Sequence, residues 1–169
     1  EPYIDQDSDG VYYIAFECVI PPSNNSEICM INSSSMFGPW AGPFNLTNNT
    51  WQAWDPALLI GKNSTGGDEF YIAWAPEYPS YQEIWFRNFT KPISNGMLDT
   101  GAKQITFNSI YDYEPTLYQD MKGNIFMGWG AILNGSQANL SDAGRSSNEV
   151  FRATSRDYGN SFSIKQLTD

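Results

Sequence analysis

Histidine is absent from this 169-residue sequence. Its absence removes the usual general base, the commonest zinc ligand and any Ser-His-Asp triad. Cationic side chains are scarce too: nine Lys and Arg stand against nineteen Asp and Glu, for a formal net charge of −10. Nucleic acid and anionic lipid both need clustered basic residues, so neither is an expected partner. No apolar run approaches the length of a membrane span, and no signal peptide is visible. The first residue is Glu1 rather than Met, as in a processed mature protein or a piece of a longer one. Cysteine appears only twice, at Cys18 and Cys29.

Hydrophobic residues make up 41% and aromatics 15%, enough for one packed domain with an ample core. Asn-x-Ser/Thr sequons begin at Asn24, Asn32, Asn45, Asn48, Asn63, Asn88, Asn134 and Asn139. Each alone is a weak signal, but eight in so short a chain point to a glycosylated surface and to export. An even cysteine pair in an exported protein usually forms a disulfide. Cys18 is therefore expected to bond Cys29, stapling one hairpin and contributing about 2–4 kcal/mol. Two unpaired buried thiols are the alternative. The expected location is extracellular or at the cell surface.

The chain repeats. "EPYI" begins at Glu1, "DPAL" at Asp55 and "EPTL" at Glu114, offsets of 54 and 59 residues. An aromatic strand follows each: "DGVYYIAFE" from Asp9, "DEFYIAWA" from Asp68 and "GNIFMGWGA" from Gly123. A third strand opens on Glu in "SEICMINSS", "QEIWFRNFT" and "NEVFRATSR". A fourth segment closes each unit, as "PFNLT", "KQITF" and "IKQLT". Asp9-Gly10 and Lys122-Gly123-Asn124 supply hairpin turns at matching places. The best helix-like stretch, residues 137–143, is short and broken by Asn and Gly, and reads as loop.

Four short strands per unit without an amphipathic helix is the pattern of propeller blades. The expected fold is all-β: a β-propeller segment of three four-stranded antiparallel blades at about 1–54, 55–113 and 114–169. Closed rings need about four to eight blades, so three form a partial ring or part of a larger propeller. Either the chain continues or copies complete the ring. Continuation is the expectation, because the termini fall at blade borders.

"TSRDYGNSF" lies between the third and fourth strands of the last unit. Its Ser155, Asp157, Gly159 and Phe162 form Ser-x-Asp-x-Gly-x-x-aromatic, a pattern that resembles the Asp-box turn of sialidase-like (BNR-repeat) propellers. Residues 33–40, "SSSMFGPW", are a degenerate copy, and the second unit has lost it. The resemblance implies a structural turn on the blade periphery. It would also imply a sialidase arginine triad. Only Arg87, Arg145, Arg152 and Arg156 are available, with Arg156 inside the box and Arg87 and Arg152 at what read as equivalent third-strand positions. No triad can be assigned.

Glu1, Asp55 and Glu114 each precede Pro, which should hold them extended at the start of an innermost strand. Three such carboxylates would converge at one mouth of the channel. The arrangement resembles the five-bladed arabinanase and β-xylosidase families, whose catalytic Asp, Asp and Glu occupy such starts. That resemblance implies Glu1 as base, Asp55 as pKa modulator and Glu114 as general acid of a glycoside hydrolase. The sequence departs from it at the first site, where Glu replaces Asp, and in lacking the family's central histidine. The competing reading is a repeat consensus that caps strand starts, and it is favoured because function needs a complete site.

"DQDSDG" opens like a calcium loop, with Asp5, Asp7 and Asp9 as candidate ligands. Its place at the first hairpin turn favours a solvated acidic turn instead. Phe16, Trp74 and Trp129 share a repeat position that reads as core between blades, whereas Trp40, Trp51, Trp54 and Trp85 are less regular. Exposed indoles stack on sugars, so glycans are candidate partners. The sequence reading is thus a secreted, glycosylated, sialidase-like propeller module with a structural, adhesion or glycan-recognition role. Its partners would be glycans, other copies of itself or adjacent blades, and it requires no cofactor, calcium being the candidate ion. The alternative is a glycoside hydrolase using the channel-mouth carboxylates.

Overall fold

Alternation of side chains along the recurrent aromatic segments sets the architecture. The computed structural model describes residues 2–19, 21, 24–48, 51–78, 81–133 and 147–168. The helix-like stretch at 137–143 and Arg145 lie outside them. Among the described residues there is no helix. The first sheet comprises β1 (Tyr3–Gln6), β2 (Tyr12–Val19), β3 (Ser26–Ser33) and β4 (Ala41–Asn45) in that order. The second runs β5 (Ala53–Lys62), β6 (Asp68–Tyr78), β8 (Trp85–Phe89) and β9 (Lys103–Gln104), with the two-residue β7 (Tyr81–Gln82) paired to β6. The third runs β10 (Tyr111–Gln119), β11 (Ile125–Leu133), β12 (Ser147–Ser155) and β13 (Ser163–Gln166). All pairings are antiparallel, and the strands of each four-stranded sheet follow chain order, as in propeller blades.

Strand β6 shows why the middle sheet tolerates an almost unbroken apolar run. Its Phe70, Ile72 and Trp74 enter one core with Tyr13, Ile28 and Met30 of the first sheet. The alternate residues Tyr71, Ala73 and Ala75 enter a second core with Ile125, Met127 and Trp129 of the third. With period-two alternation, both faces of this sheet are covered. Ring contacts fix the seams, such as Tyr13 edge-on to Phe70 at 4.8 Å. Trp74 and Trp129 are buried at the shared repeat position, opposite Trp85 and Phe151, and the equivalent Phe16 is half-buried opposite Cys29. The disulfide joins Cys18 to Cys29 across β2 and β3, with Cα atoms 5.9 Å apart.

Each first hairpin is turned by one side-chain oxygen. Asp7 Oδ1 accepts from the N–H groups of Asp9 and Val11, Asn63 Oδ1 from those of Thr65 and Gly67, and Asp120 Oδ1 from those of Lys122 and Asn124. Gly10, Gly66 and Gly123 supply the positive φ these turns need, at 82°, 84° and 81°.

A buried clasp repeats as well. The Glu that opens each third strand accepts from a Thr hydroxyl beyond the fourth: Glu27 from Thr47, Glu83 from Thr106 and Glu149 from Thr168, each at 2.5 Å. The same hydroxyls accept the N–H groups of Ile28, Ile84 and Val150. Thr106→Val keeps the shape but leaves a buried N–H and a buried carboxyl short of partners. It is expected to destabilise the fold by about 2–4 kcal/mol, read as a lower denaturant midpoint at unchanged slope. Thr168→Val, at an exposed position, should have the smaller effect.

The turn between β12 and β13 is closed by Ser155 and Asp157. Buried Ser155 Oγ accepts from Gly159 N–H at 2.8 Å and donates to Asp157 Oδ1 at 2.7 Å. Asp157 also accepts from the Ser161 N–H and hydroxyl. These bonds hold its carboxyl down at about 2. The turn lies on the second sheet: Lys103 Nζ donates to the carbonyls of Gly159 and Asn160, and Phe162 meets Phe86 edge-on at 4.9 Å. A Cβ on Gly159 would come within 2.7 Å of the Phe86 ring. The degenerate copy keeps part of this geometry, with Ser35 N–H donating to Ser33 Oγ and Gly38 N–H to the Ser35 carbonyl. In the second sheet Phe89 stands where the box serine would be. There residues 91–102 instead run along the first sheet, where Gly96 and Leu98 N–H donate to the carbonyls of Asn45 and Leu46.

Opposed carboxyl groups set the pH response. Hydrogen bonds and Lys62 hold Asp68 at about 2, as Ser155 and Ser161 hold Asp157, so both lose stabilisation as pH falls below 3.8 toward 2. Burial pushes Glu27 and Glu83 above 4.5, so their stabilising neutral forms are lost as pH rises through those raised values. Melting curves are expected to show the highest Tm at about pH 4–5, above that at pH 7.

Candidate functional site

Asp55 and Glu114 share a backbone conformation that the Pro after each does not predict. They are left-handed, at φ 52° and 51°, rather than extended. The cause is a register shift: β5 skips from Trp54 to Ala57 in its pairing with β6, and β10 skips from Tyr113 to Thr116 in its pairing with β11. The acidic residue and the buried Pro form a bulge, and bulges re-aim side chains next to functional sites. A non-glycine residue at positive φ is strained by about 1–3 kcal/mol, here twice at the same repeat position.

The inner strands β1, β5 and β10 of successive sheets lie side by side, β5 touching both others. That neighbourhood brings the two acidic residues together. Asp55 Oδ2 accepts from the Glu114 N–H at 3.3 Å, while the Asp55 N–H donates to Glu17 Oε1 at 2.9 Å. Glu17, near the end of β2, was not among the residues singled out by sequence; its aromatic-strand context hides a link to a residue 38 positions away. Asp55 is half-buried and Glu114 exposed. Burial pushes the Asp55 carboxyl up, and the negative charges of Glu17 and Glu114 push it further, against the Glu114 N–H that favours the anion. Glu1, the third predicted carboxylate, lies outside the described residues.

Asp5, Asp7 and Asp9 do not converge on a metal. Asp5 Oδ2 accepts from Ile60 N–H of the second sheet at 2.7 Å. Asp7 is buried rather than solvated, and its carboxylate meets Lys91 Nζ at 2.5 Å and the Tyr13 hydroxyl at 3.0 Å. Asp9 reaches the same ammonium at 3.1 Å. Burial alone would raise the Asp7 carboxyl, but Lys91, Val11 N–H and Tyr13 together hold it below its usual value. The cation at this turn is an amine. Among the described residues no group of three or more His, Cys, Asp or Glu could hold a metal ion. No helix there is long and apolar enough to cross a membrane.

Arg87 and Arg152 are not equivalent. Arg87 pairs opposite Ile72 and Arg152 opposite Gly128, one register step apart on the repeat. Arg87 donates to the carbonyl of Met97 and to the Thr100 hydroxyl, bracing residues 91–102. Of the sequons, Asn24 and Asn48 are exposed, while Asn88 donates to Glu69 and Asn63 is committed to its turn. Asn45 has a buried Oδ1 without a partner among the described residues, and Asn32 is half-buried. Asn134 and Asn139 lie outside the described residues.

No protein-family profile matches the chain, and no curated protein sequence matches it. Solved structures do. An endo-arabinase from Bacteroides thetaiotaomicron superposes with a TM-score of 0.67 at 15% identity, covering 99% of this chain and 60% of its own. An alpha-L-arabinanase from Penicillium chrysogenum, solved with arabinobiose, gives 0.64 at 12% identity, covering 99% and 50%. A thermostable family-43 glycoside hydrolase gives 0.64 at 11% identity, covering 97% and 53%. The chain therefore spans about half to three-fifths of the lengths of these proteins. They fit the arabinanase and β-xylosidase resemblance and lend no support to the sialidase-like one. At such identities the likeness shows the fold, and that fold is a β-propeller of which the three sheets form a part.

Proposed function

We propose that this chain belongs to an extracellular glycoside hydrolase that works through carboxylates at the starts of its inner strands. One observation carries the reading. Asp55 and Glu114 occupy matching left-handed bulges on adjacent inner strands and are joined by the Asp55–Glu114 N–H bond. Such strain at a shared position is expected of a working site rather than of a strand cap. Glu114 donates a proton to the glycosidic oxygen as the C–O bond breaks. Glu1 takes a proton from the attacking water, and Asp55 sets the charge beside the acid. The Cys18–Cys29 disulfide agrees with an oxidising compartment.

Arabinan-type substrates are the first to test, because two of the structural neighbours act on or are named for them. The protein is incubated with aryl α-L-arabinofuranosides, aryl β-D-xylosides and arabinan, and release of aryl alcohol or sugar is measured. Loss of arabinan turnover in Glu114→Gln supports the reading, and absence of turnover on every substrate sinks it. A second reading, a glycan-recognition module without turnover, draws on the absence of histidine, which leaves the family's central residue without a counterpart. Saturable glycan binding with no hydrolysis would favour it.

A further inference from the structure

The register skip at each bulge takes the N–H of its acidic residue out of the strand ladder, so that group needs another acceptor. Both acceptors are carboxylates from the preceding sheet. Asp55 N–H donates to Glu17 Oε1 at 2.9 Å, and Glu114 N–H donates to Asp55 Oδ2 at 3.3 Å. The bonds therefore run in series, from the first sheet through the second to the third. Asp55 is held by one and holds through the other.

Glu17 breaks the repeat to do this. It follows Phe16 as Ala75 follows Trp74 and Gly130 follows Trp129. Ala75 is buried opposite Trp54, and Gly130 lies opposite Tyr113, whose ring a Cβ there would meet at 2.7 Å. The first sheet alone carries a long carboxylate at this place, and it spans the seam to β5. Its strand is anchored. Glu17 pairs opposite the buried Ile28, and the next residue is tied to β3 by the Cys18–Cys29 disulfide. A charged acceptor on so rigid a support makes a strong and well-aimed bond. We propose that Glu17 is a positioning residue for the acidic pair: by accepting the Asp55 N–H it holds the left-handed bulge and aims the Asp55 carboxylate at Glu114. The inference rests on the hydrolase reading of Asp55 and Glu114, and it gives Glu17 no contact with substrate.

The test measures arabinan turnover and follows the Asp55 amide signal by NMR in ¹⁵N-labelled protein. Glu17→Ala copies the residue of the second sheet and removes the acceptor. Glu17→Met removes it at nearly unchanged length, and replaces Glu17→Ala should that protein not fold. Glu17→Gln keeps a side-chain oxygen that can accept. Loss of the acceptor is expected to lower kcat by about 10–100-fold with KM little changed, and Glu17→Gln to recover most of that loss. The Asp55 amide proton should move upfield in Glu17→Ala and stay near its place in Glu17→Gln. In an Asp55→Ala background Glu17→Ala should cost nothing further, because the group it positions is already gone. Wild-type kcat in Glu17→Ala, equal losses in Glu17→Ala and Glu17→Gln, or losses that multiply in the double variant overturn the proposal. Wild-type protein inactive on every substrate is a failure of the hydrolase reading alone, and the Asp55 amide then decides. Movement in Glu17→Ala but not in Glu17→Gln upholds the hold of Glu17 on the bulge, and an unmoved signal overturns it.

Discussion

Glu114→Gln is expected to lower turnover of unactivated glycosides by about 10²–10⁴-fold, the usual contribution of a positioned general acid. Glutamine matches the carboxyl in size and leaves the Glu114 backbone bond to Asp55 in place, so the fold should be unaffected. The loss should depend on the leaving group. An aryl alcohol of low pKa departs without protonation, so a dinitrophenyl glycoside should retain most of its rate where a methyl glycoside loses nearly all. Asp55→Asn should behave differently, slowing both substrates, because it removes a charge beside the acid rather than the proton donor. Asparagine can still accept from the Glu114 N–H through its side-chain oxygen. Equal loss on both leaving groups in Glu114→Gln would argue that the residue only shapes the bulge.

Lys91→Met should be the most destabilising single change at a side chain with an exposed end. Asp7 is buried, and its carboxylate is held by Lys91, the Tyr13 hydroxyl and the turn N–H groups. Removing one partner of a buried ion pair costs about 3–5 kcal/mol, because the other charge stays behind. Lys91 is 40% exposed, so water reaching the site lowers the figure to about 2–3 kcal/mol. Chemical denaturation measures it. The double variant Lys91→Met with Asp7→Asn should recover more than half of the loss, since no buried charge then remains. If the two losses simply add, the pair contributes nothing and Asp7 is held by the turn alone.

Much of this was legible in the sequence because it is local and repeated. The three acidic-Pro starts, the aromatic second strands and the Glu-led third strands mark out the sheets, and period-two alternation tells which residues face a core. The box around Ser155 was legible for the same reason: its bonds close within seven residues. What escaped depends on pairings the chain order does not display. The rule for residues before proline predicts extended backbone at Asp55 and Glu114, yet the bulge imposed by pairing with the second strand overrides it. Asp7 reads as one of three solvated acids until Lys91, more than 80 residues later, closes over it. Arg87 and Arg152 look equivalent by spacing, and only the strand register separates them.

The turn of the third sheet rests on the second through Lys103 and Phe86, and the corresponding stretch of the second rests on the first through Asn45 and Leu46. These two wedges thus reach in the same direction, with unlike surfaces at their two sides. Stacking of this kind is head-to-tail, so any wedge added to the arc must arrive in the same orientation. Two arcs could close one ring only about a two-fold axis along the channel, which sets the leading side of each against the trailing side of the other.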